Sequence, residues 1–278
     1  MSNLDKFTYW INERYAIYLR KEIHKLNKPW SEDPVFQNTY FCNVHRENDR
    51  VTRWIRQNFP LGFPIPEFNM IVARFVNKPS SLELMGWPFH KWEEVEETDF
   101  LFHMSQKGSW GSAYIVSTNG RAMPKHEYIS GLLSAACEQL SAKPLPTTCL
   151  AASAALRGIQ GLASFMSGQI VADLKNTVGH PLSHATDWWT FVAPGPGSLR
   201  GMTWIYGDPN EGKDLKARDF HRCMPYLRKQ VDQDLEYSWI PRFCNQDLQN
   251  CLCEFDKYMR VSTGSGRSKR KYNGKNSL

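Results

Sequence analysis

The sequence has no long hydrophobic run. No apolar stretch approaches the ~18 to 20 residues that a membrane-spanning helix needs, and the first ten residues are too polar for a secretory signal. Membrane and secreted proteins are therefore disfavoured, and we expect a cytoplasmic protein with no membrane partner. At 278 residues the chain is long enough to bury a sizeable core.

The cysteines follow neither a disulfide pattern nor a metal-binding pattern. There are seven, an odd number, and their spacing is irregular. Cys244, Cys251 and Cys253 lie close together in sequence but lack a C-x-x-C pair and a convincing fourth ligand. We therefore expect reduced thiols and no metal centre.

No acidic residue follows Asp256, whereas lysine and arginine continue to the end of the chain. Seven of the 34 bases lie beyond this aspartate, and without them the net charge of +6 falls close to zero. The pattern predicts a flexible basic tail over residues 263–278 that binds a polyanion, nucleic acid first. A solvated end that only aids solubility is the alternative.

No intact nucleotide-binding motif is present. Residues 207–214 (GDPNEGKD) nearly match a phosphate-binding P-loop, but Asp214 stands where a hydroxyl is required, and the neighbouring acids would repel phosphates. In residues 195–201 (GPGSLRG) the third glycine comes one residue late for a dinucleotide fingerprint. A tight loop that binds an anion is the alternative interpretation of residues 195–201. We expect no nucleotide cofactor.

The apolar periodicity is mostly helical. It predicts helices over residues 5–26, 35–58, 67–77, 80–85, 127–140, 147–156 and 162–174. The segment SAYIVST, followed by Asn119 and Gly120, predicts a small β-hairpin. The expected fold is therefore mainly α with one β-hairpin insertion. We expect residues 1–262 to form a single helical domain that precedes the basic tail.

Residues 156–174 read as a helix end, a glycine turn and a new helix. Such a turn points backbone N–H groups outward at the start of the second helix, where they can bind a phosphate. Helix-hairpin-helix proteins hold a DNA backbone in this way without reading sequence. An ordinary corner between two helices is the alternative.

Two further segments are dense in charge. Residues 46–54 alternate in sign, which is also typical of a salt-bridged helix face. Residues 247–258 place Asp247, Asn250, Glu254 and Lys257 on one stripe of a predicted helix. A polar stripe of this kind is more often surface than site.

Six segments, taken in order, resemble one family: FCNVHRENDRVTRWI, ARFVNKPSSLELMG, SAYIVSTNGR, LRGIQGLASFMSGQIVADL, APGPGSLRGM and CLCEFDKYMRV. They span residues 41–261. The family is that of the α-glutamyl/putrescinyl thymine pyrophosphorylases, DNA-hypermodification proteins of phages and bacteria related to the helical domain of 5-hydroxymethyluracil DNA kinases. Because the sequence shows no kinase P-loop, the resemblance favours the transferase branch.

The resemblance implies a helical fold derived from helix-hairpin-helix DNA glycosylases, acting on double-stranded DNA by base flipping. It implies a reaction in which an amine displaces pyrophosphate from 5-(pyrophosphoryloxymethyl)uracil in DNA. The amine would be an amino acid or a polyamine such as putrescine. No cofactor is expected beyond Mg²⁺ accompanying the pyrophosphate. We expect a monomer, in the host cytoplasm if a phage encodes it.

This chemistry assigns three groups of candidate residues. The candidate catalytic carboxylates are Asp187, Glu47 and Asp49. The candidates for binding the substrate and its pyrophosphate are Arg46, Asn48, Arg50, Arg53, Asn119, Arg200, Glu254 and Lys257. The candidates for binding the DNA backbone are Gly158, Gly161, Ser164, Gly195 and Gly197.

Two other classes of function stay open. A DNA glycosylase would use Asp187 against the C1′ centre of the nucleotide. A non-catalytic, DNA-binding helical subunit of a hydroxymethyluracil DNA kinase would carry out no chemistry itself. The products separate the three classes: a new thymine adduct, an abasic site, or unchanged DNA.

Overall fold

The computed structural model describes residues 1–114, 118–207, 214–235 and 239–266. Most of the P-loop-like segment and of the basic tail therefore lies outside the described residues. The described helices are α1 (Asn3–Tyr18), α2 (Pro34–Asn38), α3 (Arg50–Asn58), α4 (Pro66–Val76), α5 (Pro79–Leu84), α6 (Glu93–Glu97), α7 (Phe100–Ser105), α8 (Lys125–Ala142), α9 (Cys149–Arg157), α10 (Ser164–Lys175), α11 (Pro196–Tyr206), α12 (Ala217–Asp234) and α13 (Asn245–Ser262). A π-helix follows α1 at Leu19–Ile23, and short 3-10 helices lie at Arg46–Asn48 and Pro181–His184.

The chain divides into two compact units. Unit 1 contains Met1–Asp49 and Pro194–Leu278, and therefore α1, α2 and α11 to α13. Unit 2 is the continuous segment Arg50–Ala193, with α3 to α10. These two units subdivide the region that the sequence pattern treats as one helical domain.

In unit 1, α11 packs tightly against α13 because two glycines of α11 face it. A Cβ atom at Gly201 would lie 2.0 Å from the carbonyl oxygen of Leu252, and one at Gly197 would lie 2.4 Å from Sγ of Cys253. Both distances are far below van der Waals contact. At Gly201 the neighbour is backbone, so only glycine permits this approach, whereas at Gly197 the neighbour is the end of a side chain. On another side of α13, α1 contributes buried Phe7, whose ring lies 5.1 Å from that of Phe255.

In unit 2, α10 is the central helix, and its residues from Met166 to Lys175 are all buried. Asp173 within it is fully buried and accepts two hydrogen bonds from Arg74 of α4, at 2.5 and 2.6 Å. Arg74 also donates to the hydroxyl of Thr52 in α3 (3.0 Å). This bidentate pair compensates two buried charges and links α3, α4 and α10.

The mainly helical class that the sequence predicts is confirmed, and α4, α5, α8, α9 and α10 lie within a few residues of their predicted ranges. The helix predicted over residues 35–58 is wrong as a continuous element. It ends after five residues at Asn38, and a second helix begins only at Arg50. Residues 195–201, expected as a loop, form the cap and first turns of α11.

The predicted β-hairpin is not supported. Ser112, Ala113 and Tyr114 form a bend, and Asn119 and Gly120 form a turn, both with positive φ. The residues between these two segments, 115–117, lie outside the described part of the chain.

No described helix is long and apolar enough to cross a membrane.

The helix-hairpin-helix, glycosylase-like fold is likewise not supported. The local element does occur, since α9 is followed by a turn and then by α10. Gly161 in that turn has a φ of +89°, and a Cβ there would lie 2.3 Å from Leu132. The glycine is thus required by backbone conformation and by packing inside unit 2, which accounts for it without a DNA phosphate.

Candidate functional site

The candidate site in unit 1 is built around the loop of residues 39–49, which follows α2. Arg14 of α1 is buried and donates from Nε to the carbonyl oxygens of Phe41 (3.2 Å) and Cys42 (2.9 Å). Farther along the loop, the backbone N–H of Arg46 donates to Asp247 of α13 (2.9 Å). Charged side chains from two helices therefore bind the loop at both ends.

Glu254 and Lys257 of α13 bind the same loop. The Lys257 ammonium lies 2.7 Å from Oε2 of Glu254 and donates to the carbonyl oxygen of Tyr40 at 3.1 Å. Glu254 Oε2 also accepts from the backbone N–H of Cys42 at 2.9 Å. The two side chains are 12% and 28% exposed, so solvent still reaches this ion pair.

Cys42 and Cys253 are solvent-exposed but closely surrounded. Desolvation, and secondly the charge of Glu254, raises the pKa of the Cys42 thiol well above its usual value and that of Cys253 to about 11. Both thiols are therefore protonated near neutral pH, and neither is a candidate nucleophile.

Arg200 of α11 and Arg260 of α13 form a second charged group around Asp256 of α13. Each donates from Nε to the same oxygen of Asp256, at 3.0 and 3.1 Å. Asp256 is 1% exposed, and Trp204 donates to its other oxygen (3.2 Å), whereas the two arginine side chains are 38% and 37% exposed. A buried carboxylate thus holds two partly exposed guanidinium groups, and each arginine donates to it only from Nε. Two guanidinium groups fixed side by side in this way are suited to binding an anion.

These two groups lie on either side of Cys253. Glu254 and Asp256 raise the pKa of its thiol, while Lys257 and Arg200 lower it, so charges from both groups act on one sulfur. We call the set Arg200, Cys253, Glu254, Asp256, Lys257 and Arg260 the α13 site. Arg200, Glu254 and Lys257 were predicted from the sequence. Arg260 was missed as a site residue, although its position four residues after Asp256 is a recognisable ion-pair spacing.

The charged segment 46–49 is the last part of the loop of residues 39–49, which is bound to α13 through Arg46 and Asp247. Arg46 is 9% exposed, and its guanidinium lies 3.4 Å from Glu47, whose side chain is 38% exposed. Asn48 accepts from Asn43 through its carbonyl oxygen (2.8 Å). Asp49 is near enough to Tyr40 to contribute, after burial and Cys42, to a pKa of about 12 for that phenol.

The remaining glycine candidates of unit 1 have structural roles in α11. Gly195 is the N-cap residue of the helix, and its backbone N–H donates to the hydroxyl of Ser198 (3.0 Å). Gly197 provides the close approach to Cys253. Their assignment to DNA binding stays a prediction.

The other candidates belong to unit 2. Arg50 and Arg53 lie on α3, Arg50 exposed and Arg53 half-buried. Asn119 donates to the hydroxyl of Tyr128 (2.8 Å). Gly158 is the C-cap of α9, and Ser164 is the exposed first residue of α10. Of the predicted set, the α13 site contains Arg200, Glu254 and Lys257.

Asp187, the leading candidate for a catalytic carboxylate, binds the start of α9. Its Oδ1 accepts from the backbone N–H of Cys149 and its Oδ2 from that of Leu150, both at 2.8 Å. These N–H groups have no partner within the helix itself, and a negative charge there is also favoured by the helix dipole. Asp187 therefore acts as a helix cap in this structure. Its catalytic role stays a prediction.

A metal centre within the described ranges would need several His, Cys, Asp or Glu side chains close together. No group of three or more His, Cys, Asp or Glu residues there is placed to hold a metal ion.

The described residues form a mainly helical protein in which Arg200 of α11 and Arg260 of α13 share the buried carboxylate of Asp256. Residues 1–268 match the family model described as "5-hmdU DNA kinase, helical domain", and the chain belongs to that family. It is also 30% identical over 130 residues to a protein named "5-hmdU DNA kinase" from Bacillus phage SP10. That alignment covers 42% of this chain and 20% of the relative, so the chain spans only about a fifth of it. No solved structure matches the chain.

Proposed function

We propose that this protein modifies DNA that carries a 5-hydroxymethyluracil-derived base, and that it is a transferase. In the proposed reaction an amine displaces pyrophosphate from 5-(pyrophosphoryloxymethyl)uracil and leaves a hypermodified thymine. The family match and the relative's printed name support the base. The transferase step rests on the resemblance of the motifs and on the arginine pair of unit 1.

The reaction forms one bond and breaks one. The amine nitrogen bonds to the methylene carbon on C5 of the base, and the bond from that carbon to the pyrophosphate oxygen breaks. Pyrophosphate leaves with the electron pair, and a base takes the proton that the amine loses. The protein must therefore bind a developing polyanion, accept a proton and keep water away.

The observation that carries the proposal is the pair of arginines on Asp256. Because their Nε atoms are bound to a buried carboxylate, Arg200 and Arg260 are held in place before a ligand arrives. Guanidinium groups bind phosphate oxygens with directed, charge-assisted hydrogen bonds. We assign the pyrophosphate to this pair, with Lys257 as a third cation about one helical turn away.

The proton acceptor is assigned to the loop of unit 1. Glu47 is 38% exposed. Asp49 is close enough to Tyr40 and Cys42 to raise the pKa of both, as Glu254 does. Both residues belong to the loop of residues 39–49, which Glu254 and Lys257 bind. Asp187 lies in unit 2, and its two oxygens already accept backbone N–H groups. For the same reason we do not propose the glycosylase reaction, which depends on Asp187.

A second candidate function is favoured by the family's own description. In that case the chain is a DNA-binding helical module that serves a 5-hydroxymethyluracil DNA kinase and carries out no chemistry alone. Its arginine pair would then hold a phosphate of the DNA or of the kinase product. The two candidates share a partner, double-stranded DNA, and differ in whether the isolated chain forms a new base.

Product analysis separates them. The purified chain is incubated with DNA containing 5-(pyrophosphoryloxymethyl)uracil and with a pool of amino acids and putrescine, without ATP. The DNA is digested, and its nucleosides are identified by mass spectrometry. The transferase predicts an amine adduct of thymine and free pyrophosphate in equal amounts.

Unchanged DNA, together with phosphorylation of hydroxymethyluracil only when a kinase and ATP are supplied, would support the helical module instead. An abasic site would reveal a glycosylase. The Arg218→Gln variant serves as a control, because this side chain is 89% exposed and lies outside the α13 site.

A further inference from the structure

A groove of unit 1 lies between the C-terminal end of α11 and one face of α12. Its volume is about 530 Å³, within the range of roughly 300–1,000 Å³ that is typical of small-molecule sites. We call it the α12 groove. It is lined by Tyr206 of α11 and by Cys223, Tyr226, Lys229, Gln230 and Gln233 of α12. None of these residues belongs to the α13 site.

One face of α12 supplies most of the groove. Tyr226, Lys229, Gln230 and Gln233 are three, one and three residues apart, so they lie on the same side of the helix. The buried residues of α12 lie on a different side of it and are Phe220, Met224, Leu227 and Val231. The core therefore holds the helix in place and leaves the polar face to the groove.

Two tyrosine rings of the groove are open to solvent. Tyr226 is 67% exposed, and Tyr206 is 37% exposed. Among the described residues, the Tyr226 side chain has no hydrogen bond and no contact with another ring or cation. An exposed aromatic ring is a platform for a planar group, and every nucleobase offers such a group.

The two glutamines present amide groups to a ligand. The hydroxyl of Tyr206 donates to Oε1 of Gln230 and orients that side chain. Burial, and secondly Cys223, raises the pKa of Tyr206 to about 12, so the hydroxyl keeps its proton at neutral pH. The NH₂ group of Gln230 and the amide of Gln233 have no partner among the described residues. Such an amide can pair with the edge of a nucleobase, because both carry a donor beside an acceptor.

Lys229 gives the groove a positive charge. It forms no ion pair with a described residue, and no acid is among the residues that line the groove. Asp232, three residues farther along α12, is paired with Arg228 at 2.8 Å. Arg222 is exposed one turn before Tyr226 and likewise forms no ion pair with a described residue. These cations favour a ligand that carries a phosphate.

We propose that the α12 groove binds a nucleotide, whose base stacks on Tyr226 and pairs with the glutamine amides while its phosphate binds Lys229. The combination determines the ligand class, since a ring alone would suit any planar molecule and a lysine alone any anion. A base inside a duplex is already stacked and paired, so the groove takes an unpaired base. A free nucleotide and an unpaired base of a DNA strand present this same chemistry.

The groove is independent of the proposed transferase reaction. Tyr206 lies six residues beyond Arg200 on α11, a rise of about 9 Å along the helix. Binding to the groove is measured with unmodified nucleotides and without an amine. The proposal can therefore fail while the transferase reaction is observed, and the reverse is equally visible.

The test is fluorescence anisotropy of the full chain with a labelled, unmodified single-stranded oligonucleotide at about 0.15 M NaCl, which screens non-specific attraction. The comparison ligand is an abasic strand of the same length, which carries the same phosphates but no bases. It measures binding to the basic tail and to other cations. We expect the strand with bases to bind at least about fivefold more tightly, the effect of stacking one base.

Three variants locate this preference in the groove. Tyr226→Ala should abolish it, whereas Tyr226→Phe should keep it, because the ring remains. Phe102→Ala is the matched control, since it removes a ring that is 64% exposed in unit 2, and it should bind both strands as the wild type does. Lys229→Gln should weaken binding of the strand with bases more than Lys216→Gln, which removes an exposed lysine outside the groove.

Competition distinguishes the two sources of the nucleotide. Displacement of the labelled strand by a deoxynucleoside monophosphate indicates a site for free nucleotides, and failure to displace it indicates a site for a base within a strand; either result, with the fivefold preference, supports the groove. Equal affinity of the wild type for the two strands would overturn the proposal, whether or not any variant folds. An unchanged preference in Tyr226→Ala would overturn it as well.

Discussion

Replacement of Asp187 by asparagine distinguishes a helix cap from a catalytic base. The carboxylate accepts one hydrogen bond at each oxygen, from Cys149 and Leu150, at the first turn of α9. Asparagine keeps one acceptor oxygen but presents an NH₂ group to the other backbone N–H, and it removes the negative charge. One hydrogen bond and the interaction with the helix dipole are therefore lost.

The expected cost follows from these two contributions. Loss of a cap hydrogen bond costs about 1 kcal/mol, and loss of the charge at the helix N-terminus costs up to about 1 kcal/mol more. For a domain of about 150 residues, 2 kcal/mol corresponds to a decrease in Tm of roughly 4–8 °C. Turnover on saturating DNA should change less than about threefold, because a cap does not touch the reacting atoms.

The assay combines a thermal melt with turnover measurements on the same preparation. Thr148→Ala is the matched control, since Thr148 caps the same helix through a longer contact to Ala151 (3.4 Å). It should lower Tm by less than Asp187→Asn does. An unchanged Tm for Asp187→Asn, accompanied by a loss of turnover of about 10²-fold or more, would refute the cap interpretation and restore the catalytic one.

Three further predictions concern packing, pH and the tail. Gly201→Ala should destabilise the protein by about 1–3 kcal/mol in urea unfolding, because its Cβ meets the backbone of Leu252, which cannot move aside easily. Burial is the largest single influence on Glu67 and raises its pKa, but the hydrogen bond with His180, a backbone hydrogen bond and the charge of His180 together lower the pKa below its usual value. The ionised carboxylate therefore stabilises the folded state above pH 4.5, and this stability is lost as the pH falls through the lower folded-state pKa. In urea unfolding between pH 5 and pH 3, the wild type should lose more stability than Glu67→Gln. Deletion of residues 267–278 removes five bases and should make the salt dependence of DNA binding shallower without changing turnover on saturating DNA.

Helices with an uninterrupted apolar period were predictable. In α4, proline at the start and a continuous buried face mark the element, and the predicted and observed ranges agree within a residue. The break between α2 and α3 was not predictable in the same way. The alternating charges of residues 46–54 resemble a salt-bridged helix face. However, Asp49 is extended, with ψ of 142°, and the backbone N–H of Arg46 donates to Asp247 of α13.

The α13 site was predictable only in part, because its partners are far apart in the chain. The stripe that contains Glu254 and Lys257 is visible from helical spacing, but the bond from Cys42 to Glu254 joins residues 212 positions apart. The same holds for Arg200, which lies 56 residues before Asp256. The glycines of α11 were visible as a motif, whereas their reason, the close approach to α13, depends on tertiary packing.

The central claim is that Arg200 binds the pyrophosphate that leaves during amine transfer. The most direct measurement is the single-turnover rate of pyrophosphate release and adduct formation by Arg200→Gln, with DNA affinity and Tm measured in parallel. Arg260 remains bound to Asp256 in this variant, so the buried carboxylate keeps a cationic partner. We expect a rate about 10²-fold lower, with pyrophosphate release and adduct formation still equal, DNA affinity retained, and partial recovery of the rate in Arg200→Lys. A wild-type rate in Arg200→Gln, or wild-type protein that forms no adduct with any amine, would contradict it.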